Sequence, residues 1–296
     1  MDATLLAQYV LAGLVIGAIY CLMAVGITFI YSVMKMINWA MGEFYMIGGY
    51  AQYLLLADWL GPARWYLALP LAILGVGVLG MIVEWALLQP MFAGRLERLD
   101  EYATIMTISL TVLFRNLAVV VFGPYQFSPR DYAPPVQLGP LPINGSRFVA
   151  FLGAVVLLAL FDWVVRRTWF GLALRSVAQN RIGALCAGIS LPRIDMLAFG
   201  IGVALAGAAG ALLAPVFLVY PQSGALSTVK GFEIIVIGGL GSLPGSVVGG
   251  LLLGLVESLG SVLIAPSFRD VYGFGLLLLI LAFRPTGLWG ERAREA

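Results

Sequence analysis

Long apolar runs without a single charged residue dominate the chain. Four of them contain no Asp, Glu, Lys or Arg: residues 5–34, 65–83, 196–229 and 234–256. An α-helix rises 1.5 Å per residue and the hydrocarbon core of a bilayer is about 30 Å thick, so a crossing needs about 20 apolar residues. Each run is long enough, and the pattern predicts transmembrane helices.

Shorter apolar segments add further candidate spans at residues 44–57, 102–122, 148–165 and 271–283. The run 196–229 is long enough for one span and the start of a loop near Tyr220–Gly224. We therefore predict an all-α integral membrane protein, a polytopic bundle of eight or nine transmembrane helices in a single domain, 1–296. The segment 229–246 decides between the two numbers.

The composition agrees with lipid as the main solvent. Of the 296 residues, 61% are hydrophobic and 11% are charged, whereas soluble domains have about 25% charged residues. The first apolar run is too long for a cleaved signal sequence and lacks a basic start, so we expect it to stay as a span. A formal net charge of +2 gives no reason to expect a nucleic acid partner.

Basic residues predict the orientation, because short cytoplasmic loops are enriched in Lys and Arg. The connection 166–193 carries five arginines: Arg166, Arg167, Arg175, Arg181 and Arg193. If it is cytoplasmic, alternation places these further basic residues on the same side: Lys35, Arg95, Arg98, Arg284, Arg292 and Arg294. The opposite side receives Arg64, Arg130, Arg147, Lys230 and Arg269. We predict a cytoplasmic C-terminus, and a Pro- and Gly-rich external loop at 123–147.

Several kinds of chemistry are disfavoured. The chain has no histidine, and its two cysteines, Cys21 and Cys186, lie far apart, so we expect no metal site, no disulfide and no Ser-His-Asp triad. Neither Lys35 nor Lys230 follows a glycine, so there is no P-loop. We predict no catalytic residues and no cofactor. If ATP powers this protein, another chain hydrolyses it.

Five ionisable residues lie in apolar surroundings: Glu43, Glu84, Arg115, Glu233 and Glu257. Each costs about 2.5–3.5 kcal/mol at the bilayer centre on insertion scales. Two interpretations stay open. Glu84, Glu233 or Glu257 could form the ion-coupled site of a stand-alone secondary carrier, or these groups could lie near interfaces and pair with one another.

Two further patterns concern partners and packing. Between Gly171 and Gly188 the cytoplasmic connection predicts a short surface helix that presents Arg175, Gln179 and Asn180 to a partner. The alternative is a basic loop that only sets topology or contacts lipid. Small residues recur every fourth position at Gly241, Gly245 and Gly249. They predict close helix packing, either inside the subunit or at a moving or intersubunit seam.

Three separated motifs resemble one known family, the permease subunits of branched-chain amino acid ABC importers of the LivH type. The first is Asn38-Trp39-Ala40-Met41-Gly42-Glu43-Phe44, followed by Gly48-Gly49-Tyr50. The second is the stretch 175–180, with Ala184 and Gly188 following. The third comprises residues 238–245 and 284–290. The motifs occur in the family's order, and the resemblance covers nearly the whole chain.

The resemblance implies a partnership in a bacterial inner membrane. A second related permease would complete the pore, two ABC ATPase subunits would bind ATP at the cytoplasmic face, and a periplasmic substrate-binding protein would deliver the cargo. The cargo would be a branched-chain or other hydrophobic amino acid, with urea or a short-chain amide as the alternative.

The resemblance also implies roles for individual residues. The middle motif would be the helix that couples the permease to the ATPase, through these residues: Arg175, Ala178, Gln179, Asn180, Ala184 and Gly188. Asn38, Gly42 and Glu43 would line the translocation path or cap a helix.

Overall fold

The computed structural model describes residues 3–93, 98–128, 136–138 and 141–290. Within these ranges the chain forms the following α-helices: α1 (Ala3–Met34), α2 (Met41–Leu54), α3 (Trp65–Val83), α4 (Leu99–Phe122), α5 (Gly145–Arg167), α6 (Trp169–Gln179), α7 (Arg181–Cys186), α8 (Leu191–Leu213), α9 (Ser223–Gly238), α10 (Leu243–Leu263) and α11 (Arg269–Phe283). Strands β1 (Val136–Leu138) and β2 (Leu141–Ile143) form an antiparallel hairpin between α4 and α5. Arg95, Arg130, Arg292 and Arg294 lie outside the described residues.

Seven helical segments of the described part of the chain are long and apolar enough to cross a membrane: α1, α4, α5, α8 and α10, together with α3 continued to Met91 and α11 preceded by the helical turn Pro266–Phe268. The prediction of a polytopic all-α membrane protein is confirmed. Helices α2 and α9 have 14 and 16 residues and are shorter than a full span. Whether the bundle has eight or nine spans depends on how these two helices are counted.

Helix ends that alternation places on one side lie together. The backbones of Phe127, after α4, and Val219, after α8, exchange hydrogen bonds of 2.9 and 2.8 Å. On the other side, the Arg181 guanidinium of α7 donates to the carbonyl oxygen of Val33, near the end of α1 (3.0 Å). The structure therefore agrees with the predicted alternation of the helices between two faces.

Glycines allow α1 and α10 to pack with their backbones in contact. A Cβ atom on Gly13 would lie 2.9 Å from the Gly254 carbonyl oxygen, and one on Gly17 would lie 3.0 Å from that of Gly250. The Cys21 thiol donates to the carbonyl oxygen of Val247 on the same seam (3.0 Å). Small residues at such contacts permit the close packing that stabilises helix pairs in lipid.

The predicted seam at Gly241, Gly245 and Gly249 needs one correction. Gly245 and Gly249 lie in α10 and contact α9, where Gly245 meets Gly238 and Gly249 meets Ile234. Gly241 precedes the helix and has a φ of 82°, a left-handed conformation that glycine adopts without strain. Gly241 therefore serves the turn between α9 and α10 rather than the helix contact.

The connection 166–193 also differs from the prediction of one helix. It contains two short helices, α6 and α7, separated by Asn180, whose backbone is extended. The Asn180 side chain accepts a hydrogen bond from the Gly183 amide (2.9 Å) and caps α7, while Thr168 caps α6 by accepting from the Gly171 amide (3.0 Å). Each cap starts a helix, and the Asn180 cap therefore sets the break between α6 and α7.

The sequence predicted that Lys230 lies in an external connection, and this prediction is wrong. It lies in the middle of α9, and its side chain is only 12% exposed. Residues 229–246, left open above, therefore consist of the second half of α9, a turn and the start of α10.

Candidate functional site

Between α1 and α2 the chain folds back into the bundle. Lys35 follows α1 with a φ of 57°, a left-handed conformation unusual for a residue with a side chain. The next residues are non-helical, and their burial alternates: Lys35, Ile37 and Trp39 are exposed, whereas Met36, Asn38 and Ala40 are buried. We call residues 35–40 the entry segment.

The entry segment reaches the middle of the bundle. The Thr111 hydroxyl donates to the Trp39 carbonyl oxygen (3.4 Å), and Thr111 lies halfway along α4. From there α2 runs parallel to the second half of α4, because Phe44 packs on Phe114 and Tyr50 stacks on Phe122, with ring centroids 5.5 and 4.1 Å apart. Helix α2 therefore begins at the mid-depth of a membrane-crossing helix.

A non-helical backbone at this depth is tolerated only where protein covers it or water lines it. The structure satisfies several polar groups near the start of α2. The Ala40 amide donates to Asn38 Oδ1 (2.9 Å), and the Gly42 amide donates to Thr228 Oγ1 of α9 (3.0 Å). On the same argument the exposed edge of the segment does not face hydrocarbon, so it faces water or another protein surface.

The first motif suggested that Asn38 caps α2, but the structure gives two residues a part in this role, Asn38 and Thr228. Asn38 orders the turn before α2 but does not bond to an amide of the helix's first turn. Thr228, 186 residues away along the chain, takes that place. No local pattern in the sequence singles out Thr228, because its role depends on tertiary contact alone.

The N-terminus of α9 meets that of α2 at this point. A Cβ atom on Gly42 would overlap the Gly224 carbonyl oxygen, and one on Gly224 would lie 2.6 Å from Glu43 Oε2. Only glycines allow both approaches. Because helix N-termini carry partial positive charge, the two ends together stabilise a carboxylate between them.

Glu43 is fully buried at this junction, and one oxygen pairs with an arginine. Arg115 of α4, 36% exposed, donates from Nη2 to Glu43 Oε1 over 3.2 Å. The other carboxylate oxygen, Oε2, and the Arg115 Nε atom have no hydrogen-bond partner among the described residues. An arginine and a carboxylate can form two parallel hydrogen bonds, so this single, long contact leaves capacity on both partners.

Arg115 lies on a polar face of α4. Thr104, Thr111 and Arg115 share it, because their spacing of seven and four residues returns to one side of a helix. A second exposed side of α4 is apolar and includes Leu113, Leu117 and Val120. Beside the polar face, the Trp39 and Phe232 rings pack with centroids 4.8 Å apart. Helix α4 therefore has one side suited to lipid and another suited to water or a solute.

The residues assigned to coupling occupy a separate surface at the other end of the bundle. Arg175, Gln179 and Asn180 are exposed, Ala178 is half-buried, and Ala184 is buried. Gly188 ends the segment with a φ of 81°. Helix α6 turns Leu174 and Val177 into the bundle, while Trp169 and Ile182 are 87% and 76% exposed. We call the outer face of α6 and α7 the platform.

One ion pair connects the platform to the spans. Arg181 of α7 makes two hydrogen bonds to Asp195 of α8, of 3.1 and 2.6 Å, in addition to its bond to Val33. Asp195 is buried. Sequence reasoning identified Arg181 only as one of several basic residues and missed this link.

Most of the other buried carboxylates are paired. Lys230 lies 2.7 Å from Glu257 and 3.3 Å from Glu233, and Arg269 lies 2.7 Å from the second oxygen of Glu257. Glu233 and Glu257 are therefore paired, but with Lys230 and Arg269 rather than with one another. Among the five residues, the pair is Glu43 with Arg115. Glu84 is buried, and neither of its oxygens has a hydrogen-bond partner in the part of the chain that the structure describes.

A bundle of membrane-crossing helices with a polar, non-helical segment at mid-depth defines a multi-pass membrane transport protein. Residues 9–281 match the family model of the branched-chain amino acid transport system permease component. The chain belongs to that family, and it is a permease subunit of an importer. The predicted resemblance is confirmed.

Three relatives match over most of their length. The permease protein LivH of Escherichia coli strain K12 is 30% identical over 298 residues, covering 96% of this chain and 95% of LivH. BraD of Pseudomonas aeruginosa is 32% identical over 302 residues, again covering 96% and 95%. A probable LivH of Methanocaldococcus jannaschii is 28% identical and covers 91% of this chain and 88% of its own. The names of all three describe branched-chain amino acid transport.

Proposed function

We propose that this chain imports branched-chain amino acids through a bacterial cytoplasmic membrane, with its C-terminus in the cytoplasm. Membership of the family implies association with an ABC ATPase and a binding protein. In our proposal, a second related permease completes the translocation pathway, two ATPase subunits bind and hydrolyse ATP, and a periplasmic protein delivers the substrate.

The observation that carries the proposal is the platform. It combines exposed apolar residues, Trp169 and Ile182, with the exposed cation Arg175. Buried apolar anchors with a polar rim are typical of protein interfaces. An ATPase subunit seated there would cover Trp169 and Ile182 and contact Arg175, Gln179 and Asn180.

Arg181 gives the platform a mechanical route to the pathway. Its bidentate bond to Asp195 and its bond to Val33 hold α7 against α8 and the end of α1. The entry segment follows directly after α1. A movement of the platform on ATP binding would therefore shift the two helices next to the junction of Asn38, Gly42 and Glu43, which we assign to the path.

The test is uptake by the reconstituted complex. We expect leucine uptake into proteoliposomes to need ATP and the binding protein, and an Arg175→Glu variant to lose most uptake because its platform repels the ATPase. Arg166→Glu is the matched control. It makes the same charge change on the same side, but Arg166 lies on α5, where it pairs with Asp162.

Each other outcome has a defined meaning. Uptake by this chain alone, driven by an ion gradient and indifferent to ATP, would contradict the proposal. ATP hydrolysis that urea stimulates and leucine does not would contradict the amino acid substrate and leave the importer. Equal loss in both variants would contradict the role of the platform.

A further inference from the structure

We propose that Glu43 and Arg115 form the binding site for the charged head group of a zwitterionic amino acid in transit. The inference rests on the proposed function, since it names how the path would recognise its substrate. In this arrangement the substrate ammonium replaces Arg115 at Glu43, and the substrate carboxylate replaces Glu43 at Arg115.

The unused capacity of the two side chains matches the two substrate groups. Glu43 Oε2 has no hydrogen-bond partner among the described residues, and it lies against the glycine at the start of α9. It can accept from an ammonium, which has three donors. Arg115 uses one N–H group on Glu43, and its Nε is unpartnered within the described chain. Once Glu43 is displaced, the Nε and Nη2 atoms form a fork that fits a carboxylate bidentately.

Charge compensation selects a zwitterion. Removing one partner of a buried ion pair is strongly destabilising, because it leaves an uncompensated charge. An amine without a carboxylate would bind Glu43 and leave Arg115 unpaired, and an acid without an ammonium would leave Glu43 unpaired. Urea compensates neither charge. A zwitterion alone can open the pair and still neutralise both residues.

The surroundings fit an apolar side chain beside the head group. Thr111 lies one helical turn before Arg115 and donates to the Trp39 backbone. The Trp39 ring is 41% exposed and packs on Phe232, so an aromatic surface lies close to the ion pair. A branched aliphatic side chain on this surface would gain dispersion contacts and leave water.

Access is through Arg115. Its side chain is 36% exposed on the polar face of α4, whereas Glu43 is completely buried behind it. Rotation of the arginine would therefore open the site, and the long contact of 3.2 Å makes this pair easier to separate than an ideal charge-assisted hydrogen bond.

The test measures equilibrium binding to the whole complex in nanodiscs, without the binding protein. Radiolabelled leucine is displaced by leucine itself, by leucinol, which lacks the carboxylate, and by 4-methylpentanoate, which lacks the ammonium. For the unaltered complex we expect about a tenfold or greater preference for leucine over each analogue, the size of one well-made polar contact.

The variants separate the two ends of the ligand. Arg115→Gln should lose the preference over leucinol and keep the preference over 4-methylpentanoate, and Glu43→Gln should do the reverse. Asn116→Ala is the control, because Asn116 neighbours Arg115 but bonds only to the Val112 carbonyl within α4. It should keep both preferences.

Two results would overturn the inference. One is an equal loss of affinity for all three ligands in both variants, which a structural role of the ion pair predicts. The other is the absence of displaceable leucine binding up to about 10 mM, well above the range of a weak transport site. ATPase stimulation by leucine-loaded binding protein is measured on the same preparation. It separates failure of the binding site from failure of the proposed function. If stimulation persists, only the site is wrong.

Discussion

At the scale of single residues, the candidate site depends on two glycines as much as on the residues that carry side chains. Gly42 and Gly224 let α9 approach α2 closely enough for Thr228 to cap it and for Glu43 to lie against the start of α9. The nearest partner of Gly42 is the backbone carbonyl of Gly224, which cannot rotate away as a flexible side chain can.

We therefore predict that Gly42→Ala destabilises the protein. The added Cβ would overlap the Gly224 carbonyl and the Thr228 hydroxyl, and overpacking of this kind typically costs about 1–3 kcal/mol. The melting temperature in detergent should fall. Gly75→Ala is the matched control, because nothing lies within 4 Å of its Cβ position on α3. Equal melting temperatures for the two variants would refute the close approach of α9 to α2.

The same residues mark the limit of what sequence reasoning reveals. The first motif identified Asn38, Gly42 and Glu43 as a unit, since they are adjacent. It could not identify Arg115 as the partner of Glu43, because Arg115 lies 72 residues after Glu43 in the sequence. Arg115 was visible only as a charge inside an apolar run, an expensive placement that points to a role without naming a partner.

At the scale of helices, α7 is the shortest α-helix of the described chain, and its ion pair connects the platform to the bundle. Its Arg181 joins α8 and the end of α1 through a buried aspartate and a backbone carbonyl. A short helix held in this way transmits displacement, because Asp195 is buried and has Arg181 as its ion-pair partner.

We predict that Arg181→Gln uncouples ATP hydrolysis from transport. The variant leaves Asp195 without its bidentate partner and loosens α7 from the spans. In proteoliposomes the leucine imported per ATP hydrolysed should fall several-fold while hydrolysis continues. Arg166→Gln removes an exposed pair with Asp162, which contributes little, and should keep the ratio. An unchanged ratio in Arg181→Gln would contradict the role of this link.

Helix positions were predictable where the lipid environment itself imposes them. Uninterrupted apolar runs located α1, α3 and α8, because a span needs a minimum length of apolar sequence. The run 234–256 was wrong as a single span, since it crosses the turn between α9 and α10. The break at Asn180 and the mid-membrane starts of α2 and α9 were not predictable. Asparagine favours caps and turns, but this preference alone does not place a break inside a polar segment. The depth of a helix start depends on its neighbours.

At the scale of the whole molecule, one buried carboxylate joins three consecutive helices to the first helix of the chain. Lys230 of α9 and Arg269 of α11 converge on Glu257 of α10, and the Tyr20 hydroxyl of α1 donates to the same carboxylate (3.1 Å). Four helices therefore meet at one buried charge. The Glu43–Arg115 pair differs, since it is a single contact that joins two helices.

The central claim is that the entry segment lines a water-accessible path at mid-depth. It is tested most directly by single cysteines in a Cys186→Ser background, in which buried Cys21 remains. Ile37 is 37% exposed on the entry segment, and Leu113 is 58% exposed on the apolar side of α4. Both are labelled with a charged, membrane-impermeant thiol reagent, with and without ATP.

We expect Ile37→Cys to react, because the reagent needs water. We expect Leu113→Cys not to react, although Leu113 is the more exposed residue. An unreactive cysteine at 37 under both conditions would contradict a path along the entry segment. Equal reaction at 113 would show that the second exposed face of α4 does not lie in lipid.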